Sequence, residues 1–582
     1  MAINTYYTDE LIYLREMGAL FAKANPRLSA HLGKDATDPD VERLMEGFAF
    51  LVGRLRQRLD AELPELALSL LQLIWPHYLR PVAPITTMKF GFAQSASGLS
   101  IKVPAGTQVQ TKRIGGEAVV FRTSYDVDVL PFTVASVELD NRKTSSSISL
   151  SFKRLAGTGL SALGEAPLTL FFNSPRDIAT ARQLFMFFME RVQSVQFSTQ
   201  DGEVVTAPVI IEPMGFAPGE TTLPYPEGAF EGFRIMQEYF SCPEKFMYVR
   251  IRGLEKFANV QADEFKLTFD MSHQFPVTSR LSPDNFVLNA TPAINLFSSE
   301  GQALMVKHDR SEFQIKAIGG SEKSSVHAVE SVVGWVQGTG KRVDYEPFES
   351  FRHDPLNEGI SKLYYRTQVR PAVLGSGVDH YLSFVTRLDK IGMPETETVS
   401  MSLVCSNGPL VAQHGVGSVN LPTSTTPAKL EFSNITPILS EVPPPLDDTL
   451  LWNLVANLAR NFSSLIDVDA LRTVVAAYDF RALGDKLAAQ QRDLLLQSFR
   501  SFERRGIDII SSGRPVRAFE IVLSVSENQM GGEGEMYLFG CVLDQFLKSY
   551  ASINSLHRFA ITGIDSNITY QFAPKWGEAA AL

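Results

Sequence analysis

The stretch Asp38–Glu62, DPDVERLMEGFAFLVGRLRQRLDAE, reads as one helix. Asp38 carries a good N-cap side chain, and Pro39 suits the first helical position, where no amide proton is needed. At 100° per residue, Val41, Leu44, Met45, Phe48, Val52, Leu55 and Leu59 fall in one stripe about 100° wide, which is expected to face a core. Phe50 then lies nearly opposite. Gly47 and Gly53 flank it at three residues, and Glu46 and Arg54 at four. A mid-helix glycine costs about 1 kcal/mol relative to alanine, so two of them need a reason. Close approach of another backbone around an outward aromatic supplies one. The expectation is that Glu46, Gly47, Phe50, Gly53 and Arg54 bind a helix of a partner subunit. The alternative is that Phe50 packs on its own chain, for instance on the helix of residues 65–75. On this reading Phe48→Asp unfolds the N-terminal region, while Phe50→Asp spares the fold and loses the partner.

Outward from this helix, residues 9–23 also carry helical spacing, with Leu11, Leu14, Met17 and Phe21 in register and Asn25-Pro26 as the stop. Pro64 is expected to open a third helix, PELALSLLQLIW, ending at Pro76. From Pro81 to about residue 440 the chain changes to short alternating runs such as VQSVQFST and EFKLTFDM, split by Gly, Pro, Asn and Ser, which read as strands. A seam is placed around PVTSRLSPDN, near 276–290, and a linker at VPPPLDD, 442–448. Helices follow at 450–465, 470–480 and 485–499. Next come a strictly alternating strand with Arg517, Phe519, Ile521, Leu523 and Val525 on one face, a helix with Met536, Phe539, Val542, Leu543, Phe546 and Tyr550 on one side, and two closing strands. The expected class is a multidomain α+β protein: an N-terminal helical region at 1–80, β-rich domains at 81–280 and 281–441, and a C-terminal domain at 446–582 with helices and a strand-helix-strand unit.

Composition excludes some functions. The 582 residues are 45% hydrophobic and 20% charged, with net charge −10. No basic field is present for nucleic acid. Cys242, Cys405 and Cys541 lie far apart, too few and too scattered for a disulfide framework. MAINTYYTDELIYLRE lacks the basic start and apolar run of a signal peptide, and the most apolar stretch, Leu66–Trp75, is about half a membrane span. A cytoplasmic location is expected.

Candidate chemistry fails on spacing. GWVQGTGKR (Gly334–Arg342) approximates a phosphate loop, but its first glycine is one residue early and Arg342 stands where a magnesium-binding hydroxyl belongs. Asp38, Asp40 and Glu42 begin like a calcium loop, but Arg43 replaces its glycine, and a helix start accounts for the acids. GLSAL (Gly159–Leu163) lacks the second glycine of a nucleophile elbow. No two of the nine histidines are spaced as zinc ligands. Asp447-Asp448 and the Asp467/Asp469 pair stand at helix starts, as caps do. No catalytic residue, cofactor or metal is expected.

Several blocks together are specific. YYTDELIYLREMGALFA, DPDVERLMEGFAFLVGRLRQRLDAELPELALSLLQLIWPHYLRPVAP, QEYFSCPEKFMYVRI (Gln237–Ile251), LNATPAINLF (Leu288–Phe297), LLWNLVANLARNFSSL (Leu450–Leu465) and MYLFGCVLDQFLKSYASINSLHRF (Met536–Phe559) resemble, in order, the TssF (VasA/ImpG) family of type VI secretion baseplate subunits. Two places depart from the family: Ala290 stands where Cys is usual, and CSNGPL (Cys405–Leu410) is looser than its counterpart. The resemblance implies a structural, phage wedge-like part without catalytic activity. It implies assembly of two TssF copies with TssG, contacts to TssK, TssE and the VgrG hub, and docking on the inner-membrane complex through those partners. The competing readings are a multidomain hydrolase-like enzyme with a site on loops of the β-rich region, and a binding module that works alone.

Overall fold

The computed structural model describes residues 2–24, 39–93, 100–114, 116–155, 160–175, 177–200, 204–225, 231–260, 262–276, 280–307, 310–318, 324–348, 363–372, 377–385, 396–446, 467–511, 513–553 and 555–578. The chain divides into two compact units, one holding Met1–Pro76 and the other beginning at His77. The expected helix of Leu450–Leu465 and the caps Asp38, Asp447 and Asp448 lie outside the described residues.

The first unit is a pair of packed helices, α1 (Ala2–Ala24) and α2 (Pro39–Ile74). An ion pair of Arg15 with Glu42 joins them. The expected break at Pro64 does not occur: α2 is continuous for 36 residues, about 54 Å of helix. Proline removes one backbone hydrogen bond from a helix interior, and the turns on either side of it hold this one together.

The second unit is built on sheets. A six-stranded sheet places Ile85–Phe92 between Ala290–Ile294 and Leu430–Asn434, and extends through Val120–Thr123 and Gln108–Thr111 to Val419–Pro422. Met88, Phe90, Val109, Phe121 and Ala293 fill its core. A five-stranded sheet centres on Glu264–Met271, a four-stranded one on Leu168–Phe172 and Tyr248–Arg252, and a larger one runs from Phe297 to Ser406. Strands 85–92 and 290–294 are neighbours, so the six-stranded sheet draws from both sides of the 280/281 division. The chain passes from the four-stranded to the six-stranded sheet at Asn289, in left-handed backbone at φ 58°. Asn tolerates that conformation, and here its side chain accepts from the Leu130 amide and donates to the Leu130 carbonyl, both at 2.9 Å.

The strand-helix-strand unit is present. Arg514–Val525 and Leu556–Gly563 pair in parallel, connected through the helix Glu533–Tyr550. Ile521, Leu523 and Val525 are buried, as are Phe539, Val542 and Phe546 of that helix. A strand at Phe499–Ser511, not foreseen, pairs with Arg514–Val525 as a hairpin. Gly334–Arg342 is a turn between the strands Ser325–Val336 and Arg342–Pro347, with Gly338 and Gly340 at positive φ, not a phosphate loop. Leu160–Gly164, which holds the described part of GLSAL, forms one short 3₁₀ turn, and Asp467 caps the helix Val468–Ala476 by accepting from the Ala470 amide.

The helix Glu533–Tyr550 crosses the helix Ile178–Glu190 at Gly534. A Cβ there would stand 2.7 Å from the main chain of Arg182 and Gln183. Gly534→Ala is therefore expected to force the helices apart and lower the melting temperature, at about 1–3 kcal/mol, read by scanning fluorimetry. An unchanged melt would mean that the crossing yields without loss.

Candidate assembly interface

The two phenylalanines of the opening helix divide differently from the expectation. Phe50 is exposed (46%), but so are Phe48 (58%), Leu44 (73%) and Leu51 (65%). Ala49 and Gly53 are buried, with Val41, Met45 and Val52 partly so. The inward line, centred on Ala49, is thus turned by roughly 90° from the centre of the stripe of large residues. Small residues at four-residue spacing let helix backbones approach closely, and the large apolar groups are left on the flank. This corrects two assignments. Phe48 is not a core residue, so Phe48→Asp has no core to disrupt. Gly53 lies on the inward line and does not belong to an exposed contact.

The exposed residues sort into two flanks of α2. Leu44, Phe48 and Leu51 stand at i, i+4 and i+7 on one, an apolar row of the kind helix-in-groove contacts use. Phe50 stands on the other flank, beside Glu46 and Arg54, all three exposed. Gly47 is exposed, with open space where a Cβ would be. On α1, Leu14 and Gly18 are partly buried, while Tyr13, Met17 and Leu20 repeat the i, i+4, i+7 spacing in the open. The pair Ala49 and Gly53 was the available signal for the helix crossing. Weighing residues by hydrophobicity alone conceals it.

The described residues hold no group of three His, Cys, Asp or Glu placed to bind a metal ion. A cleft between Lys89–Phe92, Leu130–Val134 and Pro283–Asn289 has Lys89 and Asp284 as its only charged lining residues, without the converging polar groups of a catalytic pocket.

The sequence blocks behind the family resemblance meet in space in the second unit. In the helix Glu231–Ser241, Gly232 donates its amide to Ser549 Oγ at 3.0 Å, and Tyr239 donates to Glu535. Both partners lie on the Glu533–Tyr550 helix. Asn295 Nδ2 reaches Asn407 Oδ1 at 2.8 Å, and the Asn407 amide returns to Asn295 Oδ1 at 2.7 Å, joining LNATPAINLF to CSNGPL. In the block Gln237–Ile251, Glu238 is fully buried between Arg234 and Lys245. Burial would push its pKa up. The two cations outweigh that and hold it below the usual carboxylate range, while burial pulls Lys245 down.

A sequence model of the family described as "Type VI secretion system, TssF" matches residues 1–579. The chain belongs to the TssF family. Among relatives of this TssF chain, the type VI secretion system component TssF1 of Pseudomonas aeruginosa is 26% identical over 597 residues, covering 94% of each chain. Among solved structures, a chain of a TssK-TssF-TssG baseplate subcomplex matches with TM-score 0.77 at 25% identity, over 93% of this TssF and 99% of that chain. A chain of the type VI secretion baseplate complex matches with TM-score 0.65 at 25% identity over the full length of both. The TssF fold therefore extends over the whole molecule, and the enzyme reading finds no support among these relatives. No helix among the described residues is long and apolar enough to cross a membrane.

Proposed function

We propose that this baseplate component works without catalysis, as a wedge part that joins a TssG-type and a TssK-type protein. Contacts to a second copy of the chain, a TssE-type protein and a VgrG hub, and docking on the inner-membrane complex through those partners, belong to the same proposal. So does the division of labour in which residues 1–80 form the assembly arm, with 81–280, 281–441 and 446–582 as the body. The observation that carries it is the pair of apolar rows on the N-terminal helices, Tyr13, Met17 and Leu20 on α1 and Leu44, Phe48 and Leu51 on α2. Soluble proteins seldom expose so many large apolar groups together unless another chain covers them. Glu46, Gly47, Phe50 and Arg54 form a second, polar-rimmed contact on the opposite flank of α2.

The test is co-expression with a TssG-type protein. Leu44→Asp with Phe48→Asp should leave the melting temperature of the purified chain within about 2 °C, since neither side chain is in a core. Capture of the partner should fall by roughly 100-fold or more, the scale of losing two anchor residues. Phe50→Asp with Arg54→Glu tests the polar-rimmed flank in the same assay. Undiminished capture by both double variants would remove the helix pair from the interface.

A further inference from the structure

Two arginines of the second unit meet where its six-stranded sheet joins the larger one. Arg80 lies in the connection 77–84, which is tied down on both sides: Val82 bridges to Val442, and the Pro84 carbonyl accepts the Asn295 amide at 2.8 Å. Arg122 stands opposite Ile294 on the strand Val120–Thr123, on the face away from the buried Phe121 and Thr123. From Ile294 the chain needs only Asn295 and Leu296 to reach Phe297, the first residue of the larger sheet.

Two histidines arrive at this junction from the larger sheet. Phe297 pairs with Cys405, and Cys405 with Val326; the next pair is Ala328 with Val404, so His327 is the extra residue of a β-bulge. A bulge re-aims a side chain, and this one turns its ring against the Pro81 carbonyl. His380 shares the inner face of its strand with the buried Leu382. The two rings are 4% and 5% exposed. Among the described residues, neither nitrogen of His327 completes a hydrogen bond, nor does Nδ1 of His380. Burial depresses both imidazoles; Arg80 adds to the effect on both, and Arg122 and His380 add to it on His327.

The acids do not answer these cations. Among the described residues, neither Arg80 nor Arg122 has an ion pair or a hydrogen bond to its guanidinium. Glu330 acts on Arg122 from a distance, while its own carboxylate takes Ser402 Oγ at 3.1 Å. Glu441, beside Val442, takes the hydroxyls of Ser406 and Ser325, and burial pushes its pKa up. Burial lowers both arginines, the mark of positive charge held partly out of water. Water can serve a neutral imidazole, but it does not neutralise two such charges.

We propose that Arg80, Arg122, His327 and His380 form a binding site for a divalent oxyanion of the phosphate type. Two negative charges match the two guanidiniums, whose forked donors suit phosphate oxygens. The neutral imidazoles complete the shell with ring N–H donors. Arg80 is only partly buried, which leaves the anion an entrance from solvent. Bound there, it ties the connection 77–84 to both sheets.

The test is isothermal titration of the full-length chain in chloride buffer with inorganic phosphate, with sulfate as a second dianion and acetate as a monovalent control. One phosphate or sulfate should bind per chain with Kd below about 1 mM. Acetate should bind at least about tenfold more weakly. Adenosine monophosphate separates two sources of the same chemistry: binding equal to that of inorganic phosphate means that the site takes a phosphate ester, and no binding means that it closes around the free ion. Arg80→Met with Arg122→Met should weaken both dianions at least about tenfold. Without dianion this double variant should melt no lower than the parent, since it removes two cations that lack a counter-charge. No binding of either dianion up to about 1 mM, acetate binding as well as phosphate, unchanged affinity in the double variant, or a melt well below the parent's would each overturn the proposal.

Discussion

Replacing Glu238 with alanine should leave most of the chain insoluble, and should lower the melting temperature of the remainder by at least about 5 °C. Every acceptor position of this carboxylate is occupied. One oxygen takes the amides of Thr222 and Leu223 at 2.8 and 2.9 Å, and the other takes Arg234 and Lys245. All three charged side chains are within 2% of full burial. Removing the anion leaves Arg234 and two amides without this acceptor, and Lys245 with the Glu220 carbonyl at 3.0 Å in place of a counter-charge. Breaking a buried pair in this way costs about 3–5 kcal/mol, against a typical total stability of about 5–15 kcal/mol. The combined variant Arg234→Met, Glu238→Leu, Lys245→Met removes the charges together and should recover much of the loss. A Glu238→Ala protein that melts with the parent would show that water reaches the cluster.

Mild acid should destabilise the second unit. Burial depresses four histidines, His77 and His327 to about 3 and His380 and His557 to about 4. Nearby cations add to the effect: Arg80 on His77, His327 and His380, and Lys575 on His557. Each is a base whose folded pKa lies below its unfolded value of about 6.5, so the unfolded chain takes up the proton first. Their stabilisation is complete above about pH 6.5 and drains as pH falls from 6.5 toward 4. Each histidine loses up to about 1.4 kcal/mol per pH unit in that window, while the raised carboxyls of Glu441, Asp479 and Asp544 offset part of the loss. Urea midpoints at pH 7.5 and 5.0 read this directly. A His327→Leu variant should show a shallower pH dependence, and equal midpoints at the two pH values would refute the account.

The elements that were legible in the sequence are those in which one rule acts alone. Alternation from Arg517 to Val525 places Ile521, Leu523 and Val525 in the core because a single face of that strand is covered. The strand Phe499–Ser511 was not legible because its two faces differ little: arginines, acids and isoleucines occur on both. Only the Ser-Ser-Gly sequence at 511–513 marked it. On α2 the rule of large residues inward failed, since two helices that approach closely put Ala49 and Gly53 at the contact and leave Phe48 outside. Of the expected contact residues, Phe50, Glu46, Gly47 and Arg54 do point outward, whereas Gly53 does not. Near the expected seam, the chain passes from one sheet to another at Asn289. Which strands become neighbours across hundreds of residues is decided by tertiary pairing that no local pattern records.

The order of strands in the six-stranded sheet has a consequence for synthesis. Ile85–Phe92 lies between Ala290–Ile294 and Leu430–Asn434, so neither of its neighbours exists when it leaves the ribosome. At about 5–20 residues per second, roughly 10–40 s pass before the first arrives, and the second comes about 140 residues later. Throughout that interval a strand with Met88 and Phe90 on its inner face has two open edges in a crowded cell. A nascent chain held in this way carries its apolar strand unpaired long before any partner protein can reach it, and slower translation between 92 and 290 lengthens its exposure.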